Sequence, residues 1–291
     1  MIHQNTLSLI GNTPIIELER YSPSRNVKLF AKLENFNPSG SVKDRPALFM
    51  INSAEKSRKI VKGQHIIEAT SGNTGISLAI ISALKGYEFT AVMPENSSFE
   101  RQQMIRLFDA NIILTDGKLG TNYSIEVAQH IISENSSYMM MNQFENQANV
   151  VSHYHTTASE IIQDIPNITN FIAGAGTGGT LIGNAMRLKK YNHLIQIVGI
   201  EPEIGTQIPG LRSMKEYIPP IYKPEMINLI LKINDSNEAI NITKDLNKSG
   251  LPVGLSSGAA LWGAILVARE IKKGFIVVLF PDSSDRYLSM L

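Results

Sequence analysis

The 291-residue chain contains no cysteine. That rules out disulfides, thiolate metal ligands and a cysteine nucleophile, and it fits a reducing compartment. It also lacks an excess of charge of either sign: 27 Lys and Arg stand against 26 Asp and Glu, a net charge of +1. No global field therefore draws nucleic acid or an anionic membrane, although a local anion site stays open. No run approaches 18 uninterrupted apolar residues, and Met1-Ile2-His3-Gln4-Asn5 does not open a basic leader followed by an apolar stretch. The expectation is a cytoplasmic protein with no membrane span. There is no fixed-period repeat and no low-complexity linker. What is present, 43% hydrophobic and 18% charged residues, describes a globular chain long enough for one or two domains, with two preferred.

Short apolar runs of strand length alternate with longer segments of helical period. Strands are predicted at 28–33, 65–69, 89–93, 111–114, 138–141, 170–173, 196–200 and 275–280. Helices are predicted at 46–57, 75–84, 99–107, 124–133, 148–162, 179–188, 243–247 and 258–272. This order implies an α/β protein with mostly parallel sheets flanked by helices, whose ligands bind at the carboxyl ends of the strands. Residues 209–224, with four prolines, read as a long ordered loop on the surface or over a site.

Four stretches carry chemistry. In Asn37-Pro38-Ser39-Gly40-Ser41-Val42-Lys43-Asp44-Arg45, one lysine lies between turn residues and a helix start. There a partly desolvated amine can attack a carbonyl, which is Schiff-base chemistry. Thr70-Ser71-Gly72-Asn73-Thr74-Gly75 joins a strand to a helix and offers hydroxyls, an amide and helix N-terminal N–H groups to a carboxylate. Gly174-Ala175-Gly176-Thr177-Gly178-Gly179-Thr180 makes the same kind of junction and suits a phosphate, but it lacks the Gly-Lys-Ser/Thr ending of a nucleoside-triphosphate loop. Its glycine spacing also fits a dinucleotide site with Glu201 as the acidic partner, so a nicotinamide reading stays open. Gly254-Leu255-Ser256-Ser257-Gly258-Ala259 opens a helix with two serines, whose hydroxyls can bond an aromatic ring nitrogen without holding it protonated. His153 and His155 are a poor metal pair, Asp282 to Asp285 read as a solvated cap, and Arg101 to Arg106 as a solvated helix face. No metal is assigned.

Taken together, these stretches resemble the pyridoxal-phosphate enzymes of the tryptophan synthase β fold, and within them the cysteine synthase group. Gly11-Asn12-Thr13-Pro14, Lys32-Leu33-Glu34, Gln143-Phe144, Pro281-Asp282 and Arg286-Tyr287-Leu288-Ser289 complete the motif order over nearly the whole chain. The resemblance implies a pyridoxal 5'-phosphate enzyme with Lys43 as cofactor anchor and proton carrier and Asn73 at the ring hydroxyl. It places Gly176, Thr177, Gly178, Gly179 and Thr180 around the phosphate, and Ser256 (or Ser257) at the ring nitrogen. Thr70, Ser71, Gly72, Asn73 and Thr74, with Gln143, would hold the substrate carboxylate. It further implies a larger domain of residues 1–45 plus 147–291, a smaller mobile domain of residues 46–146 that closes on substrate, and a homodimer. The reaction implied is β-replacement, making L-cysteine from O-acetylserine or O-phosphoserine and sulfide or thiosulfate. Gly205 to Lys215, with Arg212, looks like the second (B-type) isozyme, and Arg212 would then meet an anionic leaving group or sulfur donor. A serine or threonine dehydratase, a cystathionine β-synthase-like activity and a non-catalytic binding protein on this scaffold are the alternatives.

Overall fold

The computed structural model describes residues 2–70 and 72–290. Its first sheet has six strands: β1 (Ile15–Glu17), β2 (Val27–Leu33), β7 (Asn170–Gly174), β8 (Gln196–Pro202), β9 (Leu229–Ile233) and β10 (Gly274–Phe280). Their order across the sheet is β1-β2-β10-β7-β8-β9. All neighbours run parallel except the edge pair β1–β2. The second sheet is built from β3 (His65–Ala69), β4 (Glu88–Pro94), β5 (Asn111–Thr115) and β6 (Tyr138–Met140), and it is fully parallel in the order β5-β4-β3-β6.

The central strands are apolar on both faces because helices cover both. Along β10, Ile276, Val278 and Phe280 enter one core and Val277 and Leu279 enter the other. The first core is closed by α8 (Ser236–Lys248) and α9 (Leu255–Glu270). The second is closed by α5 (Gln147–His155), α6 (Thr157–Asp164) and α7 (Gly179–Tyr191). Around the second sheet, Ile66, Phe89 and Met93 face a core with α1 (Asp44–Lys56), α2 (Asn73–Lys85) and α3 (Phe99–Arg106), while Ile67 and Val92 face α4 (Gly120–Glu134). Each fully buried aliphatic or aromatic side chain of this kind contributes about 1.5–3 kcal/mol of transfer free energy. Among the described residues no helix is long and apolar enough to cross a membrane.

Several elements differ from the sequence reading. The helix expected over 148–162 is two helices, broken at Thr156, whose φ is −111° and ψ −79° and whose hydroxyl bonds back to Ser152 O at 2.6 Å. Helix α8 is far longer than 243–247; its buried face is only Ala239, Thr243 and Leu246, too sparse for periodicity, and its start is fixed by the Asp235 carboxylate accepting from Asn237 N–H. Strands β1 and β9 were not expected, since one is three residues long and both lie at sheet edges with exposed side chains.

In each sheet the connections wind in opposite directions from an internal point, between β10 and β7 in one and between β3 and β6 in the other. Ligands bind outside the carboxyl ends of strands at such points. The ends of β2, β10 and β7 lead to Lys43, Asp282 and the glycine loop; those of β3 and β6 lead to Thr70 and Gln143.

Candidate active site

Lys43 immediately precedes α1 and is held from both sides. Val42 N–H donates to Pro281 O at 2.8 Å, Ser41 bridges Asp282, and Lys43 N–H donates to Ser41 Oγ at 3.3 Å. The turn before it needs Gly40, at φ +77°, whose space is closed by the buried Arg286 guanidinium. Arg286 donates to Gly40 O at 2.8 Å and to Ser39 O. Behind the helix start, Arg45 donates to Glu34 and Glu160 at 2.6–2.8 Å, and Lys32 pairs with Glu160 at 2.8 Å. Lys43 is half-buried and lines the cleft. Burial pulls its amine pKa below the ordinary lysine range, and the Asp282 carboxylate partly restores it. Its place at the positive end of α1 further disfavours the ammonium form.

Across the cleft, Thr70 N–H donates to Val92 O at 2.9 Å and its hydroxyl accepts from Gly72 and Gly75 N–H at 3.3 and 3.2 Å. Gly75 is required there, because a Cβ would meet Thr70 Cγ2 at 2.8 Å. Ser71 lies outside the described residues. Asn73 Nδ2 donates to Asp282 Oδ2 at 2.7 Å, and its own Oδ1 is buried with no hydrogen-bond partner among the described residues. Thr74 Oγ1 donates to Gln143 Oε1 at 2.6 Å, which leaves the Gln143 amide N–H groups to donate elsewhere. Gln143 itself sits on a turn whose Asn142 has φ +52°, held by the buried Glu68 carboxylate.

The glycine loop joins β7 to α7. Gly178 has φ +91°, and a Cβ on Gly176 would lie 2.6 Å from Gly210 O, so only glycine lets the backbone pass this close. The first turn of α7 has N–H groups with no helical acceptors, and Thr177 and Thr180 add hydroxyls at the cleft. Thr180 Oγ1 lies 3.2 Å from His153 Nε2, whose Nδ1 lies 2.9 Å from Thr157 Oγ1. His153 is buried at the end of α5, and desolvation, Arg45 and Lys43 hold its pKa well down, so it is neutral. Ser256, in the first turn of α9, reaches the cleft; Ser257 is fully buried and does not line it.

One cleft of about 240 Å³ gathers these groups. Lys43, Thr70, Gly72, Asn73, Thr74, Gln143, Gly176, Thr177, Gly178, Thr180, Arg212 and Ser256 line it, while Gly179 supports the loop from behind. Arg212 lies against both Phe144 and Tyr217, 5.0 and 5.1 Å from the ring centroids, where the two rings meet edge to face, and burial lowers its pKa.

Three side chains play other parts than the sequence suggested. Glu201 is buried, accepting from Tyr222 OH at 3.2 Å and Met214 N–H at 3.3 Å; it ties down the loop that carries Arg212 and is not at a ribose site. Arg101 is not on a solvated face but lines the cleft, stacked 4.9 Å over the Tyr287 ring. Asp282 is no solvated cap: it is 1% exposed and accepts from Asn73 and from Tyr287 OH at 2.6 Å. Its position at the carboxyl end of a central strand was the available signal.

The donor set fits a phosphate with an attached aromatic ring. The N–H groups and hydroxyls at the start of α7 match the phosphate; the unpaired Asn73 amide oxygen, Ser256 and the desolvated Lys43 amine surround the space beside it. The family model described as "Pyridoxal-phosphate dependent enzyme" matches residues 6–282. The chain is 42% identical to Cysteine synthase B of Campylobacter jejuni over 99% of its own length and 98% of the relative's. It is also 42% identical to Cysteine synthase B of Salmonella typhimurium, over 98% and 95% of the two chains. Among solved structures, the cysteine synthase of Entamoeba histolytica superimposes with a TM-score of 0.94 at 36% identity, covering 100% of this chain and 90% of that one.

Proposed function

Since the chain belongs to the pyridoxal-phosphate dependent enzymes and is a cysteine synthase among them, we propose how its residues divide the work of making L-cysteine from an O-activated serine and a sulfur donor. The observation that carries this reading is the meeting of a desolvated Lys43 amine, the Asn73 amide, the glycine loop and Ser256 in one cleft. When bound, pyridoxal phosphate supplies an electron sink for charge developing at the amino acid's α-carbon. Lys43 anchors it, and the lowered pKa keeps enough of the amine neutral to take the α-proton and later return it. Gly176, Thr177, Gly178, Gly179 and Thr180 hold the phosphate, and Asn73 bonds the ring oxygen. Ser256 faces the ring nitrogen with a hydroxyl, which leaves the sink mild and favours loss of a β-substituent.

Thr70, Ser71, Gly72, Asn73 and Thr74, with the donating amide of Gln143, hold the substrate α-carboxylate. Arg212, half-buried against the Phe144 and Tyr217 rings, meets the phosphate of O-phosphoserine or a thiosulfate donor, beside O-acetylserine and sulfide. Residues 46–146 move as a smaller domain against 1–45 plus 147–291 and exclude water on closing. We assign a homodimer in the cytoplasm, to be checked by sedimentation and by fractionation.

The test is direct. The purified protein should take up pyridoxal phosphate with a long-wavelength absorbance band and release cysteine from O-acetylserine or O-phosphoserine with sulfide. Lys43→Ala should lose the band and cut turnover by at least about a thousandfold, the scale of a proton-transfer group. A Lys43→Ala protein that still makes cysteine at the parent rate overturns the assignment.

A further inference from the structure

Asn149 lies in α5, 1% exposed, between the turn that carries Gln143 and the glycine loop. Its side-chain nitrogen uses both hydrogens: one donates to Gln143 O at 2.9 Å, the other to Thr177 Oγ1 at 3.1 Å. The orientation of the amide is fixed, because the Gln143 carbonyl can only accept. Among the described residues the amide oxygen has no hydrogen-bond partner, and it is packed against Gly179, where a Cβ would lie 2.0 Å from it. This contact explains why position 179 is glycine although its backbone starts an ordinary helix.

The consequence for Thr177 follows from lone-pair arithmetic. Its hydroxyl oxygen already accepts from Asn149 and, at 3.4 Å, from Gly179 N–H. With both lone pairs engaged, its proton is left to point out, and Thr177 lines the cleft. On the other arm, the turn gripped through the Gln143 carbonyl is the one whose side chain has its oxygen filled by Thr74 and its N–H groups left to donate.

We infer that Asn149 is a positioning residue that fixes Thr177 as a donor toward the cofactor phosphate and couples that cradle to the turn holding the substrate carboxylate. The inference rests on the assignment of the cleft given above. Cofactor retention and amino-acid affinity then rise and fall together through one buried amide, although no group of Asn149 touches either ligand.

The experiment uses the protein loaded with pyridoxal phosphate. Equilibrium dialysis measures cofactor retention, titration with L-serine followed by the cofactor absorbance measures amino-acid affinity, and the phosphorus resonance reports the phosphate's surroundings. Asn149→Ala should weaken both affinities about tenfold, the scale of one buried hydrogen bond left unmade, and shift the phosphorus signal. Uptake of pyridoxal, which has no phosphate, should change little. Thr177→Val should also weaken L-serine binding, and the double variant should lose little more than Asn149→Ala alone. Both affinities within twofold of the parent in Asn149→Ala, or losses that simply multiply in the double variant, overturn the coupling. Should Asn149→Ala not fold, Thr177→Val decides alone, since unchanged L-serine affinity there overturns it. A parent protein that takes up no pyridoxal phosphate sinks the cleft assignment and this inference with it; a loaded parent with unaltered variants sinks this inference only.

Discussion

Replacing Glu68 with glutamine tests whether a buried carboxylate organises the substrate side of the cleft. Glu68 is fully buried at the carboxyl end of β3; Oε2 accepts Asn142 N–H at 2.8 Å and Oε1 accepts Gln143 N–H at 3.0 Å. Burial raises its pKa from the ordinary 4.5 to about 7, against the opposing pull of the Gln143, Asn142 and Met141 N–H groups. With the folded value above the unfolded one, the folded chain holds a proton that the unfolded chain has released between those two values. The stability this contributes is complete below pH 4.5 and lost as pH rises through about 7. Going from about pH 5.5 to about pH 8.5 should therefore cost the parent about 2 kcal/mol through this one group, from 1.36 kcal/mol per pKa unit. The amide introduced by Glu68→Gln does not titrate, and turning an N–H toward one of the two backbone donors costs the variant about 1–3 kcal/mol at every pH. Denaturant unfolding of both proteins across that range should show the variant's deficit shrinking by about 2 kcal/mol as pH rises. A deficit constant in pH refutes the buried-carboxylate account. In the parent, L-serine affinity should also fall below pH 7, where a protonated Glu68 has fewer lone pairs for the turn carrying Gln143; in Glu68→Gln that limb should be absent.

Arg45→Met strands Glu34 and Glu160 without their main partner, and a thermal or denaturant series should show a loss of about 3–5 kcal/mol, as for a broken buried pair; a loss below about 1 kcal/mol would mean the cluster is solvated. Arg212→Ala should lower kcat/KM for O-phosphoserine about ten- to a hundredfold more than for O-acetylserine, the worth of a charge-assisted bond. Equal selectivity in parent and variant removes Arg212 from the leaving-group site. Gly179→Ala places a methyl 2.0 Å from Asn149 Oδ1, and cofactor retention by dialysis should fall about tenfold or more as that amide is displaced; parent-like retention would show that the loop relaxes freely.

The α/β architecture was legible because both sheets are parallel inside and their strands are covered on both faces. Continuous apolar runs such as Phe275 to Phe280, bounded by Gly274 and Pro281, mark buried strands without need of alternation. Where burial is one-sided or sparse, the signal failed. Edge strands β1 and β9 and the Asn-rich α8 take their structure from neighbours and a single Asp cap, and periodicity in their own residues does not reveal them. The break at Thr156 was hidden for another reason: Thr156 bonds back to Ser152 and His153 packs against Thr157, side-chain bonds that compete with the helix ladder and leave the apolar spacing intact.

The groups of the cleft divide in the same physical way. Residues that act through backbone geometry, the glycines of the loop and the turn before Lys43, leave a local mark, because only glycine tolerates φ +91° at Gly178 or the approach of Gly210 O to Gly176. Residues that act by pairing with a distant side chain leave none. Asp282 and Asn73 are 209 positions apart, and Asn149 and Thr177 are 28 apart; each half, read alone, is an ordinary cap or helix polar. For this reason Arg101 was misread and Glu201 left a nicotinamide reading open, since a cation stacked on a ring and a buried carboxylate that anchors a loop look, in sequence, like a solvated face and a ribose ligand. Desolvation was legible only at Lys43, where the turn before the helix start suggested a partly desolvated amine; nothing in the sequence marked Glu68. The lowered pKa of Lys43 and the raised pKa of Glu68 arise first from burial, opposed by the Asp282 charge at the one and by backbone N–H groups at the other, so the size of each effect belongs to the packing around the group.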